Sequence, residues 1–144
     1  MKIEKFRGPY WFLSNFYPIT VNEFPSVEHF YQASKFLDPE IREQIKAAKT
    51  SGDAKRIAEE NRTKVREGWD DLKETIMWSA LVKKFKDREL ARKLLDTHDH
   101  EIVRENDWDD TFWGTVNGEG DNILGKMLMK IREELKKEEE KNVR

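Results

Sequence analysis

The sequence predicts an α+β fold: one compact domain, mainly helical, with a few short strands. Three observations predict it. The chain has 144 residues, the size of an ordinary domain. Near-alternating apolar residues occur before residue 25, and helical spacing dominates after it. Helices and strands then follow no regular βαβ order. Eight Phe, five Trp and three Tyr supply a core, which a disordered chain with 39% charged residues would lack.

The elements follow in order. Residues 2–24 read as extended, with Ile3, Phe6, Ile19, Val21 and Phe24 near-alternating and Pro9 and Pro18 as breaks. A helix starts after Pro25, with Ser26 as its N-cap, and runs to about Leu37. Asp38-Pro39 opens the next, with Ile41 and Ile45 inward, because Asp caps and Pro suits the first helical position. Residues 50–65 read as a polar helix. Leu72, Ile76 and Ala80 define a helix over about 70–85, entered by Trp69. Leu90, Leu94 and Leu95 define another after Asp87, and Ile102-Val103 a short strand. Ile123, Leu124, Met127, Leu128, Ile131 and Leu135 form the clearest helical stripe, over 121–139. The domain spans 1–135, and 136–144 read as a charged, solvated, frayed tail.

Composition excludes several function classes. No cysteine is present, which removes disulfide scaffolds, thiolate metal sites and a Cys nucleophile. A net charge of −2 provides no bulk attraction to polyanions. The N-terminus lacks the apolar run of a signal peptide, and no stretch approaches a membrane span, so a cytoplasmic protein is expected. His98 and His100 lack a third metal ligand at a usual spacing and read as a polar loop.

Three stretches carry candidate chemistry. In SVEHFYQASKF (26–36), Glu28, Gln32 and Lys35 fall in a wedge about 60° wide on a helix. Tyr31 flanks it on one side, His29 and Phe36 on the other, while Val27, Phe30, Ala33 and Leu37 cover the back. The wedge is either the wet edge of an amphipathic helix or a polar line facing a pocket. In ENDWDDTFWGTVNGEGDNILG (105–125), four carboxylates and two tryptophans precede a Gly-x-Gly turn into the last helix. Asp121 or Asn122 could cap that helix, whose first amides suit phosphate, and Gly125 admits a ligand or another backbone. A structural turn beside a solvated acidic loop is the alternative. In FRGPYWFLSNFYP (6–18), Ser14-Asn15 sits among aromatics with Arg7 nearby. Stacking, base or ribose recognition and phosphate pairing are within its chemistry, as is a plain core with an Asx turn.

Taken in order, these segments resemble the NADAR superfamily, which includes the YbiA-like N-glycosidases. The resemblance rests on FLSNFYP at 12–18, SVEHFYQASKF at 26–36, Ala54-Lys55, Arg66-x-x-Trp69, Lys73 with Met77, Lys84-Phe85, IVRENDWDDTFWG at 102–114 and GEGDNILGKMLMKIR at 118–132. It implies a compact, mainly helical α+β fold and cleavage of an N-glycosidic bond. The implied substrate is ribosylated and phosphate-bearing, either a ribosylamino-pyrimidine of riboflavin synthesis or an NAD/ADP-ribose-related compound. Cleavage builds positive charge at the anomeric carbon and leaves a base that needs a proton. Glu28 is then the expected general acid/base, Asp110 the second carboxylate, and Lys35 a Schiff-base nucleophile. Asn15, Trp69, Trp113 and Gly114 would shape the pocket, with Gly8, Ser14, Phe16, Tyr17 and Gly125 also at the substrate. Tyr31 and Phe36 would be walls, and Arg7 or the helix start at Asn122 would hold phosphate. No metal or cofactor is implied.

Two rivals accompany this reading. One is hydrolysis of ADP-ribosyl-guanine on nucleic acid, for which Lys83, Lys84, Lys86 and Arg88 offer a basic patch or merely a wet helix end. The other is a module that binds ADP-ribose without turnover.

Overall fold

Short polar residues open four helices in the computed structural model, which describes residues 1–142. Ser26 caps α1 (Val27–Ser34) by accepting the His29 amide at 3.1 Å. Asp38 accepts from the Glu40 amide, and Pro39 takes the first position of α2 (Pro39–Lys46). Thr50 and Asp87 cap α3 (Ser51–Glu60) and α5 (Arg88–Leu95) in the same manner. Each cap satisfies an amide that the first turn leaves unpaired, worth about 1 kcal/mol. The long helices are α4 (Trp69–Lys84) and α6 (Ile123–Asn142). Strand β1 (Lys2–Ile3) pairs in parallel with β4 (Glu101–Ile102), and β2 (Pro18–Val21) antiparallel with β3 (Phe24–Ser26). The fold is α+β, mainly helical with a few short strands.

The chain divides into two packed units. One spans residues 15–84, where α1 contacts α2, α3, α4 and both strands of the β2–β3 hairpin. Its core gathers Phe24, Ala33, Phe36, Ile41, Ile45, Ala54 and Ala58. Phe36 and Ile45 are fully buried, each contributing about 2–3 kcal/mol through the area removed from water. The other unit joins residues 1–14 to the chain from Phe85 onward. There α6 packs on α5 and β4, with Leu124, Leu128 and Ile131 on its buried stripe. No helix among the described residues is long and apolar enough to cross a membrane.

Several boundaries differ from expectation, for local reasons. Residues 8–13 are not extended but form a 3-10 turn, in whose first turn Pro9 sits, where its fixed φ and missing amide fit. α1 ends at Ser34, because the Lys35 and Phe36 amides bond back three residues to Gln32 and Ala33. Leu37 therefore lies beyond the helix and is exposed rather than covering its back. The polar helix stops at Glu60, and a second 3-10 turn, Arg62–Lys64, follows. α6 starts two residues later than expected and continues to Asn142, so residues 136–142 are helical rather than frayed. Lys136 bonds Asp99 at 2.8 Å and Glu139 bonds Arg92 at 2.9 Å along that stretch. Residues 143–144 of the expected tail lie outside the described residues.

Candidate active site

Burial decides between the two readings of the polar line on α1. Glu28 and Gln32 are 7% and 5% exposed, and Lys35 is half-buried, so the line is no wet edge. Gln32 Nε2 donates to Glu28 Oε2 at 2.5 Å, one helical turn apart. Burial pushes the Glu28 carboxyl above its ordinary value; the Gln32 bond and the positive charges of Lys55, Lys35 and His29 oppose this without prevailing. Burial likewise pushes the Lys35 amine down. Glu28 and Glu59 oppose that shift, while Lys55 and Lys73 reinforce it. Both groups thus move toward their neutral forms: an acid able to give a proton and an amine able to attack carbon.

Aromatic rings and loop residues frame this pair. Lys35 Nζ lies 5.4 Å from the Tyr31 ring centroid, and Trp69 meets Tyr31 edge-to-face at 5.3 Å. Tyr31 is therefore a neighbour of the amine, with Trp69 packed on Tyr31, whereas Phe36, expected as a wall, belongs to the core. The Asn15 carbonyl accepts the Glu28 amide at 3.1 Å, and Asn15 Nδ2 points to Met77 Sδ at 3.6 Å. Asn15 Oδ1, Gln32 Oε1 and Arg66 Nε are buried without a hydrogen-bond partner. The Arg66 amide bonds the Lys35 carbonyl at 2.7 Å, so all three residues are hydrogen-bonded to Glu28 or Lys35. Buried polar atoms are almost always paired, and these three leave unused hydrogen-bonding capacity beside one acid–amine pair. Phe16 is exposed and accepts Ser51 Oγ on its carbonyl, and Lys84 Nζ lies 5.6 Å from the Tyr17 ring.

Two further residues of this unit exceeded the sequence reading. His29 Nε2 lies 3.0 Å from the Ala48 carbonyl, which can only accept, so that nitrogen carries the proton. Nδ1 lies 2.7 Å from Ser26 Oγ, and Ser26 Oγ lies 2.9 Å from Ser51 Oγ. Lys84 is buried, and burial pushes its amine down to about 7. It therefore drops out of the expected basic patch, leaving Lys83, Lys86 and Arg88 exposed.

In the other unit, residues 105–122 form the loop before α6, and many of its polar groups bond within it. Glu105 accepts from Thr115 Oγ1 and from the Asn117 and Gly118 amides; the Thr115 bond, then the amides, hold its carboxyl below the ordinary range. The Asn106 side chain makes five hydrogen bonds, to Arg104, Trp108, Asp110 and Thr115. Asp110 Oδ1 accepts the Phe112 and Trp113 amides at 3.1 and 2.9 Å, and the Phe112 and Trp113 rings pack edge-to-face. Gly114 is required by close approach, since a Cβ there would fall 1.9 Å from the Arg104 carbonyl oxygen.

The expected phosphate site at the start of α6 is not available. The Ile123 and Leu124 amides already bond the Phe112 and Trp113 carbonyls. Asn122 is buried, and its side chain ties to the Arg104 amide and the Ile102 carbonyl. Gly125 admits backbone rather than ligand, a Cβ there falling 2.2 Å from the Ile102 oxygen. Arg7 is the remaining phosphate candidate. It lines, with Lys5, Phe6 and residues 104–108, a cleft of about 430 Å³ where the Arg104 guanidinium lies 5.0 Å from the Phe6 ring and 4.7 Å from that of Trp108. Gly8 is exposed beside it, with φ of 58°, and Ser14 is buried at the end of the 3-10 turn.

Comparison with known proteins places this geometry. The NADAR domain family model matches residues 4–136. The chain is 41% identical over 130 residues to a riboflavin biosynthesis protein of Vibrio vulnificus, covering 86% of this chain but only 35% of that protein. It is 38% identical over 128 residues to the N-glycosidase YbiA of Escherichia coli, covering 85% of this chain and 79% of that one. The NMR structure of E. coli YbiA superposes with a TM-score of 0.83 at 32% identity, covering 96% of this chain and 86% of that one. From Glu28 on α1 to the Trp113-Gly114 loop, the chain belongs to the NADAR domain family.

Proposed function

We propose that this chain is an N-glycosidase that hydrolyses the bond between a ribose anomeric carbon and the nitrogen of a base or amino-pyrimidine. The observation that carries the reading is the Glu28–Lys35 pair: a carboxyl and an amine on one helix face, each driven toward neutrality by burial. The relatives support it, since one is named an N-glycosidase and another a riboflavin biosynthesis protein. A phosphate-bearing ribosylamino-pyrimidine is the substrate we favour, with an ADP-ribose-related compound as the wider class and the cytoplasm as the compartment.

In the proposed sequence Glu28 gives its proton to the departing nitrogen as the C–N bond breaks. Lys35 Nζ bonds the same carbon and gives one proton to the Glu28 carboxylate; the bond from that carbon to the ring oxygen then breaks, the oxygen takes the second amine proton, and an imine forms. Water then adds to the imine carbon, releases the sugar and restores the amine. The net change is one water consumed and one C–N bond exchanged for C–O. Tyr31 and Trp69 keep the amine in a dry, aromatic setting that favours its neutral form. Asp110 is the second carboxylate that the resemblance offers. Asp110→Asn keeps an oxygen for the two loop amides and removes only the charge, so a lost rate assigns that charge to the reaction.

The deciding experiment incubates the protein with a ribosylamino-pyrimidine phosphate and, separately, with ADP-ribosylated guanine DNA, and identifies the released base and sugar by mass spectrometry. Borohydride should trap a sugar on Lys35 in the wild type and none in Lys35→Ala. Release of neither base rejects the enzyme reading in favour of a binding module.

A further inference from the structure

Gln32 is the member of the polar line with no role in the proposed chemistry, and its side chain is the most informative on α1. It is 5% exposed and makes one hydrogen bond, from Nε2 to Glu28 Oε2. Its Oε1 is buried without a partner. Asn15 repeats the pattern from the loop side: its carbonyl holds the Glu28 amide, its Nδ2 turns to Met77, and its Oδ1 is likewise buried and unpartnered. Two amides thus grip Glu28, one through its side chain and one through its main chain, and each keeps an acceptor oxygen in reserve.

We infer that Gln32 and Asn15 form a subsite that reads hydrogen-bond donors on the substrate, and that Gln32 also fixes which oxygen of Glu28 carries the proton. The inference rests on the N-glycosidase reading and names the chemistry that this site selects. Two amide oxygens repel a phosphate or carboxylate and accept O–H or N–H, so the group seated here is the sugar hydroxyl edge or an amino group of the base. Phosphate binds elsewhere. With Gln32 Nε2 on Oε2, the Glu28 proton sits on Oε1, and that oxygen faces the departing nitrogen. Gln32 is in this respect a positioning residue. The charges that face Glu28 are Lys35 and His29 on α1 and Lys55 on α3; Lys35 also meets Glu59 on α3 and Lys73 on α4.

The test uses the full chain and Gln32→Met, which keeps the volume and removes both polar atoms. A carbon-NMR titration of the Glu28 carboxyl should move to higher pH in Gln32→Met, because the donor that favours the anion is gone. An unchanged midpoint, or a lower one, overturns the positioning role. Calorimetry then compares ribose phosphate with deoxyribose phosphate, and an amino-pyrimidine with its des-amino analogue. Wild-type protein should prefer one donor-bearing partner by on the order of tenfold, and Gln32→Met and Asn15→Leu should each erode that preference. The sugar pair responding identifies the hydroxyls as the donors, and the base pair responding identifies the amine. Equal preferences in wild type and both variants overturn the subsite. Should Gln32→Met fail to fold, Gln32→Asn, too short to reach Oε2, gives the same readouts. Release of neither base by wild-type protein would defeat the enzyme reading alone, and normal turnover in Glu28→Gln and Lys35→Ala only the roles given to that pair, since the titration reports on Gln32 without any activity.

Discussion

In the loop from Glu105 to Asn122, Glu105 uses both carboxylate oxygens on Thr115, Asn117 and Gly118, and Asn106 uses both ends of its amide on five bonds. At α1, Gln32 on the helix and Asn15 on the neighbouring loop each bury an oxygen that bonds nothing. Both regions read alike in sequence: acidic and amide residues among tryptophans, tyrosines and phenylalanines. The loop's hydrogen bonds, those of Asp110 to the Phe112 and Trp113 amides among them, hold its own shape. The helix face keeps polar capacity in reserve beside two ionisable groups displaced from their ordinary behaviour, the combination on which the proposed chemistry rests.

The largest expected effect tests the helix side of that contrast. Glu28→Gln and Lys35→Ala should fold and lose turnover by roughly 10²–10⁴-fold, measured on the purified proteins. Near-normal rates in both would erase the distinction. Next comes the loop: Gly114→Ala should cost roughly 3 kcal/mol or more in denaturant unfolding, because the nearest atom is the Arg104 backbone oxygen, which cannot step aside. A neutral result would show that the loop is softer than its bonding suggests. Asn106→Ala should cost about 2–3 kcal/mol by the same measurement, less than its five bonds suggest because water replaces some of them. A shift confined to catalysis would move this residue to the functional side.

Two smaller effects concern pH. Glu28 prefers its neutral form when folded, so its stabilising contribution is present below its ordinary value of 4.5 and is lost as pH rises through the raised folded value. Glu28→Gln should therefore melt higher than wild type at neutral pH, and the gain should vanish near pH 4. Lys84 runs the opposite way. With a folded value of about 7 against 10.5, its contribution is present above 10.5 and is lost as pH falls through 7. Lys84→Met should raise the melting temperature most at pH 6 and least near pH 10, and an equal gain at both would place the effect in packing rather than charge.

Much of the helical frame is legible without coordinates, because capping is local chemistry. Ser26, Asp38 and Asp87 mark helix starts by residue type alone, and the α6 stripe shows in its period. The start of α6 depends on partners earlier in the chain. Nothing near Asn122 reveals that its amide will bridge Arg104 and Ile102, or that the first α6 amides will meet the 112–113 carbonyls. The polar line on α1 was visible as a narrow wedge, yet whether it faced water or protein depends on α2, α3 and α4 closing round it. Lys84 shows the same limit: in sequence it is one lysine of a basic cluster, and only tertiary packing makes it a buried amine. Gln32 stood in plain sight, and its unpaired oxygen is a three-dimensional fact.

The relay from Ser51 through Ser26 to His29 and on to the Ala48 carbonyl has a practical use. Its imidazole N–H is sealed from solvent one residue away from Glu28, so its proton exchanges slowly and resonates apart from the crowded amide region. That signal reports, in a one-dimensional spectrum and without any substrate, whether a variant of the neighbouring acid still has its helix start intact. It separates a disabled enzyme from a disordered one.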